Sequence, residues 1–326
     1  MITISDIEAA AQRLVGIAVR TPLIRNDELD RIAGGNVLIK AENLQVAGSF
    51  KIRGAYNLMS QLSNAAAARG VVAFSSGNHA QGVAMAGGML GIKAAIVMPA
   101  DAPRAKMDNT RRLGGEVITY DRYNEDREAI ARDIAEQRNA ELVPSYDHDD
   151  IIAGQGTVGL EIAEQAHELG LSLDQALINC GGGGLSSGSA VALRARFPDI
   201  SIRTVEPAAF DDTARSIEAG KRLRVQPGSE SICDSLLAES PGRLPFEIHT
   251  RLFDAGIVVS DDEVREAMRF AFRQLKLVVE PGGAVSLAAV LFRKVATAGR
   301  TTAIVLSGGN VDFDVFASVQ AEQGCA

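Results

Sequence analysis

Short apolar runs rich in Val, Ile and Ala alternate along this chain with longer amphipathic stretches. Short runs of this kind, bounded by Gly or polar residues, predict buried β-strands. The predicted strands are Asn36–Lys40, Gly70–Phe74, Ala94–Val97, Glu116–Thr119, Gln175–Asn179, Ile202–Val205, Gly256–Val259 and Thr302–Leu306.

The stretches between these strands have a helical period. The predicted helices are Gly82–Leu90, Asn124–Gln137, Ile152–Glu168, Asp262–Lys276 and Val285–Ala298. Near the N-terminus, Ser5 and Glu8 have the spacing of a capping box and predict a further helix start. Alternating strands and helices predict an α/β protein with mainly parallel sheets, in which the loops that follow strands carry the ligand site.

Composition narrows the function classes. The 326 residues suggest about two domains. A net charge of −8 disfavours binding to nucleic acid or to an anionic membrane, and no run approaches the ~18 apolar residues of a membrane span. The three cysteines are far apart, which argues against a disulfide framework or a zinc site and favours a cytoplasmic location.

One lysine lies in an unusual apolar setting. Lys51 follows Phe50 within the sequence GSFKIRGA, near a predicted helix start. Burial would lower its pKa and provide the neutral amine that a Schiff base requires. The alternative is an ordinary surface lysine whose stem packs on Phe50.

Two loops that follow strands have features of anion sites. Gly181, Gly182, Gly183 and Gly184 follow an apolar strand and open a helix, where backbone N–H groups can surround a phosphate; the alternative is a flexible linker. The loop from Ser75 to His79 also leads into a helix and suits a carboxylate, or else forms a capped turn.

Two further loops have weaker signals. The segment Glu206 to Asp212 could hold Mg²⁺ or Ca²⁺ through carboxylate and carbonyl oxygens, or it is a solvated acidic loop. Ser307 to Asn310, which reads SGGN, is a strand-ending turn or part of the same ligand site.

Taken in order, SFKIRGA, SSGNHAQG, GGGG and SGGN resemble the fold-type II pyridoxal phosphate (PLP) enzymes. Within them the chain resembles the branch of serine/threonine dehydratases (ammonia-lyases), threo-3-hydroxyaspartate dehydratases and serine racemases. The resemblance runs from about Arg20 to Asn310.

The resemblance implies a tryptophan synthase β-like fold with two parallel-sheet α/β domains and the cofactor in the cleft. The large domain would comprise residues 1–69 and 147–326, and the small domain would comprise residues 70–146. The protein would be a homodimer.

The resemblance also implies roles for individual residues. Lys51 would hold PLP and act as the base, and Ser76 would be the proton donor on the opposite face. The implied cofactor contacts are Phe50, Lys51, Asn78, Gly181, Gly182, Gly183, Gly184 and Ser307. The implied substrate contacts are Ser75, Ser76, Gly77, Asn78, His79 and Arg127. The implied metal ligands are Glu206, the Phe210 carbonyl and Asp212.

The implied reaction is loss of water from L-threonine, L-serine or threo-3-hydroxyaspartate, which yields a 2-oxo acid and ammonia. Arg127 could pair with a second substrate carboxylate, or it is simply an exposed helical residue. Three alternatives stay open at this point: an amino-acid racemase, a non-catalytic binding protein of the same fold, and a synthase that exchanges the β-substituent.

Overall fold

A computed structural model of the protein describes residues 1–75, 77–102 and 104–321. Two sheets of mainly parallel strands are flanked by helices, which confirms the predicted α/β class. The strands are β1 (Leu23–Ile24), β2 (Asn36–Ala41), β3 (Val71–Phe74), β4 (Ala94–Pro99), β5 (Gly115–Tyr120), β6 (Glu141–Leu142), β7 (Gln175–Asn179), β8 (Ser201–Pro207), β9 (Ala255–Val259) and β10 (Thr301–Leu306).

Helices fill most of the chain between these strands. The α-helices are α1 (Ile4–Arg13), α2 (Asp27–Ala33), α3 (Lys51–Met59), α4 (Asn64–Arg69), α5 (Asn78–Leu90), α6 (Arg104–Arg112), α7 (Arg127–Arg138), α8 (Asp149–Glu168), α9 (Gly184–Arg196), α10 (Asp212–Ala219), α11 (Arg243–Leu252), α12 (Asp261–Phe270), α13 (Val285–Leu291) and α14 (Phe313–Ala321). No helix of the described residues is long and apolar enough to span a membrane.

The larger sheet has the strand order β1-β2-β10-β7-β8-β9, and only the short edge strand β1 runs antiparallel to its neighbour. Helices α2, α12 and α13 contribute to the apolar cluster on one face, and α8 and α9 to the cluster on the other. Every residue of β7 and β10 is buried, because both faces of the sheet are covered.

The smaller sheet has the order β5-β4-β3-β6, and all its strands are parallel. Ile52 and Ala55 of α3 belong to the same apolar cluster as Val71 and Ala73 of β3. The helix that begins at Lys51 therefore packs against the core of the smaller sheet. The domain boundaries inferred from the resemblance stay a prediction.

All eight predicted strands are present, but some helix ends differ from the predictions. The capping box at Ser5 and Glu8 was wrong: α1 begins at Ile4, where the Asp6 carboxylate accepts a hydrogen bond of 2.7 Å from the Thr3 N–H. The predicted helix over 285–298 ends at Leu291, close to Arg293, which has a left-handed φ of 52°. The helix predicted over 262–276 changes to a π-helical turn after Phe270.

Candidate active site

Lys51 is the first residue of α3 and is partly buried. Its Nζ donates a hydrogen bond of 3.0 Å to the Ser145 carbonyl and lies 5.2 Å from the centre of the Phe50 ring. Burial lowers the pKa of the Lys51 amine to about 8, and the Glu280 carboxyl opposes part of that shift. About a tenth of the amine is therefore neutral at pH 7, which suits a nucleophilic or basic role.

The loop after β3 leads directly into α5, and Asn78 is the first residue of that helix. Asn78 Nδ2 donates a 2.6 Å hydrogen bond to Glu280, and Asn78 Oδ1 accepts one of 2.8 Å from Asn310 Nδ2. Burial raises the pKa of Glu280 to about 8, and the hydrogen bond from Asn78 opposes part of that shift. The Asn78 amide is thus oriented by two residues that lie far away in the sequence.

His79 is buried, and its Nε2 lies 2.9 Å from the Val143 carbonyl. Because a carbonyl can only accept, Nε2 carries the proton. Burial, with a contribution from Lys51, lowers the pKa of His79 to about 3, so the ring is neutral. His79 Nδ1 is then an acceptor, and it has no partner among the described residues. Ser75 Oγ accepts from the Gly77 N–H at 3.2 Å, and Ser76 lies outside the described residues.

The four glycines connect β7 to α9, and side chains are sterically excluded there. An added Cβ would collide with the Tyr146 ring at Gly182 and with the Gln155 side chain at Gly184. At Gly183 it would lie 2.6 Å from Pro245 Cβ, and the φ of +99° is unfavourable for other residues. The turn therefore has no room for side chains. A loop whose backbone N–H groups surround an anion at a helix N-terminus requires this feature.

Ser145 connects the lysine to the glycine loop. Its carbonyl accepts hydrogen bonds from Lys51 Nζ at 3.0 Å and from Gln155 Nε2 at 3.3 Å. The other amide atom, Gln155 Oε1, is buried without a partner among the described residues and lies next to Gly184. The Lys51 amine and the glycine turn therefore border the same space.

Ser307 follows β10 and lies on the same side of the molecule as Lys51. The Phe50 N–H donates to the Ser307 carbonyl at 3.3 Å, and Ser49 forms an isolated bridge with Gly308. The Ser307 hydroxyl accepts a hydrogen bond of 3.1 Å from Asn179 Nδ2. The same Nδ2 donates to the Gly282 carbonyl at 2.8 Å, which establishes it as the amide nitrogen.

Arg127 is the exposed first residue of α7. Its guanidinium carbon lies 5.7 Å from the centre of the Phe74 ring, the last residue of β3. Among the described residues no carboxylate lies within ion-pair distance of Arg127, whereas its neighbour Glu128 pairs with Arg132. In the described part of the chain, the guanidinium has no hydrogen-bond partner and lies next to the residue that precedes Ser75.

The predicted cation ligands lie at the end of β8, which contains Glu206, and in the segment that follows it up to the start of α10 at Asp212. Glu206 is buried and accepts hydrogen bonds from the Thr213 and Ala214 N–H groups, while Asp212 Oδ2 is buried without a partner in the described chain. Burial raises the pKa of Asp212 to about 7, and burial and the Asp212 charge raise that of Glu206. The described residues contain no group of three or more His, Cys, Asp or Glu side chains that could hold a metal, so a cation here would need the Phe210 carbonyl.

Three neighbours of this site were missed from the sequence. Glu280, Tyr146 and Gln155 contact Asn78, Gly182 and Gly184, respectively. Only Glu280 had a usable signal, because it precedes Pro-Gly-Gly after an apolar run, a pattern similar to the other loops that follow strands. Tyr146 and Gln155 have no local pattern that separates them from ordinary packed residues.

The residues present fit PLP. The cofactor needs a lysine with an accessible neutral amine and a cradle for one compact phosphate. Lys51 with its lowered pKa and the glycine turn, which leaves no room for side chains, provide these two features close to Ser145. The individual roles of the site residues stay predictions.

Comparison with known proteins identifies the family. Residues 16–308 match the family model described as "Pyridoxal-phosphate dependent enzyme". The chain is 45% identical to an L-threo-3-hydroxyaspartate ammonia-lyase from Pseudomonas sp, over 96% of this chain and 97% of the relative. It is 39% identical to a serine racemase from Schizosaccharomyces pombe, over 97% and 96% of the two chains.

The fold agrees with this match. The crystal structure of a threonine deaminase from T.th. superposes with a TM-score of 0.91 at 42% identity, covering 96% of this chain and 99% of the other. The family match spans the lysine, the asparagine, the four glycines and the serine after β10. The chain belongs to the family of pyridoxal-phosphate-dependent enzymes.

Proposed function

We propose that the protein is a PLP-dependent ammonia-lyase whose preferred substrate is L-threo-3-hydroxyaspartate. The observation that carries the substrate choice is the unpaired guanidinium of Arg127 beside the Ser75 loop. Serine and threonine have one carboxylate, and that group is assigned to the loop from Ser75 to His79. A second carboxylate, as in hydroxyaspartate, needs a second cationic partner, and Arg127 provides a bidentate one.

Different residues of the chain then have different roles in binding the substrate and the cofactor. Backbone and hydroxyl donors of the Ser75 loop hold the α-carboxylate at the N-terminus of α5. The glycine turn holds the cofactor phosphate, and Asn78 binds the ring substituent next to the reactive carbon. Bound PLP supplies the electron sink for the charge that is left when the α-proton departs.

Lys51 Nζ would remove the α-proton of the substrate. With cofactor and substrate bound, the Lys51 amine would be the base, because burial lowers its pKa. The α-C–H bond and the bond to the 3-hydroxyl break, a carbon–carbon double bond forms, and water leaves. The resulting enamine hydrolyses to a 2-oxo acid and ammonia, which balances the reaction without an oxidant or a reductant.

Ser307 makes elimination the favoured outcome. Its oxygen accepts from Asn179 Nδ2, so its hydroxyl proton remains free to be donated to the pyridine nitrogen. A hydroxyl is a weaker proton donor than a carboxylic acid, so Ser307 would leave the pyridine nitrogen of bound PLP largely unprotonated, and the cofactor would stabilise the negative charge only moderately. Loss of a β-leaving group then competes well with pathways that need a long-lived carbanion.

A product assay on the purified, PLP-loaded protein tests the proposal. L-Serine, L-threonine and the isomers of 3-hydroxyaspartate are offered separately, and 2-oxo acid and ammonia are measured. We expect the highest kcat/KM with the L-threo isomer. Equal or better turnover of serine or threonine would overturn the substrate assignment, and D-amino acid without oxo acid would favour a racemase.

Arg127→Ala is expected to lower kcat/KM for L-threo-3-hydroxyaspartate about 10- to 100-fold, because a charge-assisted hydrogen bond is lost. Activity toward L-serine should change by less than about threefold. Arg132→Ala is the matched control, since Arg132 lies on the same helix and pairs with Glu128. An equal loss of kcat/KM for both substrates would show that Arg127 does not bind the second carboxylate.

A divalent cation bound by Glu206, Asp212 and the Phe210 carbonyl is the second part of the proposal. Two buried carboxyls next to each other repel when ionised: burial raises the pKa of both, and the Asp212 charge raises that of Glu206 further. A hard cation would relieve this repulsion and satisfy Asp212 Oδ2, which otherwise lacks a partner among the described residues. Its role would be structural or activating, remote from bond breaking.

Asp212→Ala is expected to abolish the response of activity and of thermal unfolding to added Mg²⁺ or Ca²⁺, leaving a low, constant activity. Asp211→Ala is the control, because Asp211 instead pairs with Arg215 at 2.7 Å. A cation response that survives in Asp212→Ala would move the site elsewhere.

We further propose that the protein is a homodimer, because the resemblance implies one, and that it is located in the cytoplasm, because its cysteines are scattered. Light scattering of the purified protein tests the homodimer, and a monomer at working concentration would contradict it.

A further inference from the structure

The first turn of α9 contains a buried polar cluster that the proposed chemistry does not use. Ser186 Oγ and Ser187 Oγ lie 2.8 and 3.1 Å from Nε2 of His249, a residue of α11. All three side chains are completely buried. Because only Leu185 separates Ser186 and Ser187 from the four glycines, the cluster lies immediately behind the proposed anion-binding turn.

The hydrogen bonds determine the tautomer of His249. Burial lowers the pKa of His249 to about 3, so the ring is neutral and has one N–H. Each serine hydroxyl also has a carbonyl acceptor: Gly183 at 3.0 Å for Ser186, and Pro245 at 3.3 Å for Ser187. A proton on Nδ1 would be a buried donor with no partner among the described residues, at a cost of about 1–3 kcal/mol. The proton therefore lies on Nε2, which donates to the serines, and these donate to the carbonyls.

This chain of hydrogen bonds ends on the peptide between Gly183 and Gly184. The Gly183 carbonyl accepts from Ser186 Oγ and, at 2.9 Å, from the Ser187 N–H. In a trans peptide the carbonyl and the N–H point in opposite directions, so the Gly184 N–H is held facing out of the helix N-terminus. The His249 ring also packs on Gly183, where an added Cβ would lie 2.7 Å from its Cε1.

We propose that His249 is a positioning residue for the cofactor phosphate, acting through Ser186 to hold the Gly183–Gly184 peptide in its anion-binding orientation. The proposal rests on the glycine turn being the phosphate site. It predicts that the imidazole contributes to cofactor affinity and to the environment of the phosphate without entering the elimination itself.

The test compares three variants of the full-length protein: His249→Leu, His249→Gln and Ser189→Ala. The dissociation constant of PLP is measured by titration of the apoprotein, and the bound phosphate is observed by ³¹P NMR. His249→Leu should weaken PLP binding about tenfold and shift the ³¹P resonance, because one hydrogen-bond donor behind the turn is lost. His249→Gln should recover to within about threefold, since its amide N–H can reach the serines.

Ser189→Ala is the matched control, because Ser189 lies on the same helix with a buried hydroxyl that has no partner in the described chain. It should bind PLP like the wild type. Wild-type affinity and an unchanged ³¹P resonance in His249→Leu, or an equal loss in Ser189→Ala, would overturn the proposal. If His249→Leu does not fold, Ser186→Ala is judged by the same criteria. A wild-type apoprotein that takes up no PLP would instead refute the phosphate site itself.

Discussion

Lys51→Ala is expected to remove the visible absorbance of lysine-bound PLP and to lower turnover by at least about 10³-fold, since one residue serves as both the cofactor's anchor and the base. The structural reason is the amine's setting. Lys51 Nζ bonds to a carbonyl rather than to a carboxylate, and burial lowers its pKa to about 8. The Ser145 carbonyl that accepts from Lys51 also accepts a hydrogen bond from Gln155, and the Gln155 side chain lies next to the glycine turn.

Absorbance spectra and oxo-acid release on the purified variant measure both effects. Lys93→Ala is the control, because Lys93 is exposed at the surface before β4 and should behave like the wild type. Retention of the absorbance band and of turnover in Lys51→Ala would refute the assignment of the reactive lysine.

Gly183→Ala is expected to weaken PLP binding at least about 100-fold and to destabilise the protein by about 2–4 kcal/mol. Two independent effects add here. A φ of +99° is strained for any residue with a Cβ, and the new methyl would meet Pro245 and His249 at 2.6 and 2.7 Å. Relief of this overlap would move the peptide whose N–H faces the phosphate.

Gly170→Ala separates the two effects, since Gly170 has a φ of +69° but open space around its Cβ position. This control should lose only about 1–2 kcal/mol from strain and keep its PLP affinity. Urea unfolding of the apoproteins and PLP titration measure the two quantities. Wild-type PLP affinity in Gly183→Ala would show that the turn does not hold the phosphate.

The alternation of apolar runs and amphipathic stretches was sufficient to predict all eight longer strands, their grouping into an α/β fold and the position of the loops that follow them. These features are local, because burial on both sheet faces produces continuous apolar runs, and parallel strands direct their following loops to one edge. Strands β1 and β6 were missed because each has only two residues and no periodicity. The first turn of α5 was missed because Asn78 and His79 read as loop residues.

Other features depend on contacts between distant parts of the chain, and only the tertiary structure could decide them. Glu280 meets Asn78 across 202 positions, and His249 meets Ser186 across 63. The lowered pKa of His79, the raised pKa of Glu280 and the lowered pKa of Lys51 all arise mainly from desolvation, which depends on what the fold packs around a side chain. The sequence by itself predicted which backbone turns suit an anion and which lysine suits a reactive role. The fold decided which neighbours orient them, because those neighbours come from elements that adjoin only after both sheets have formed.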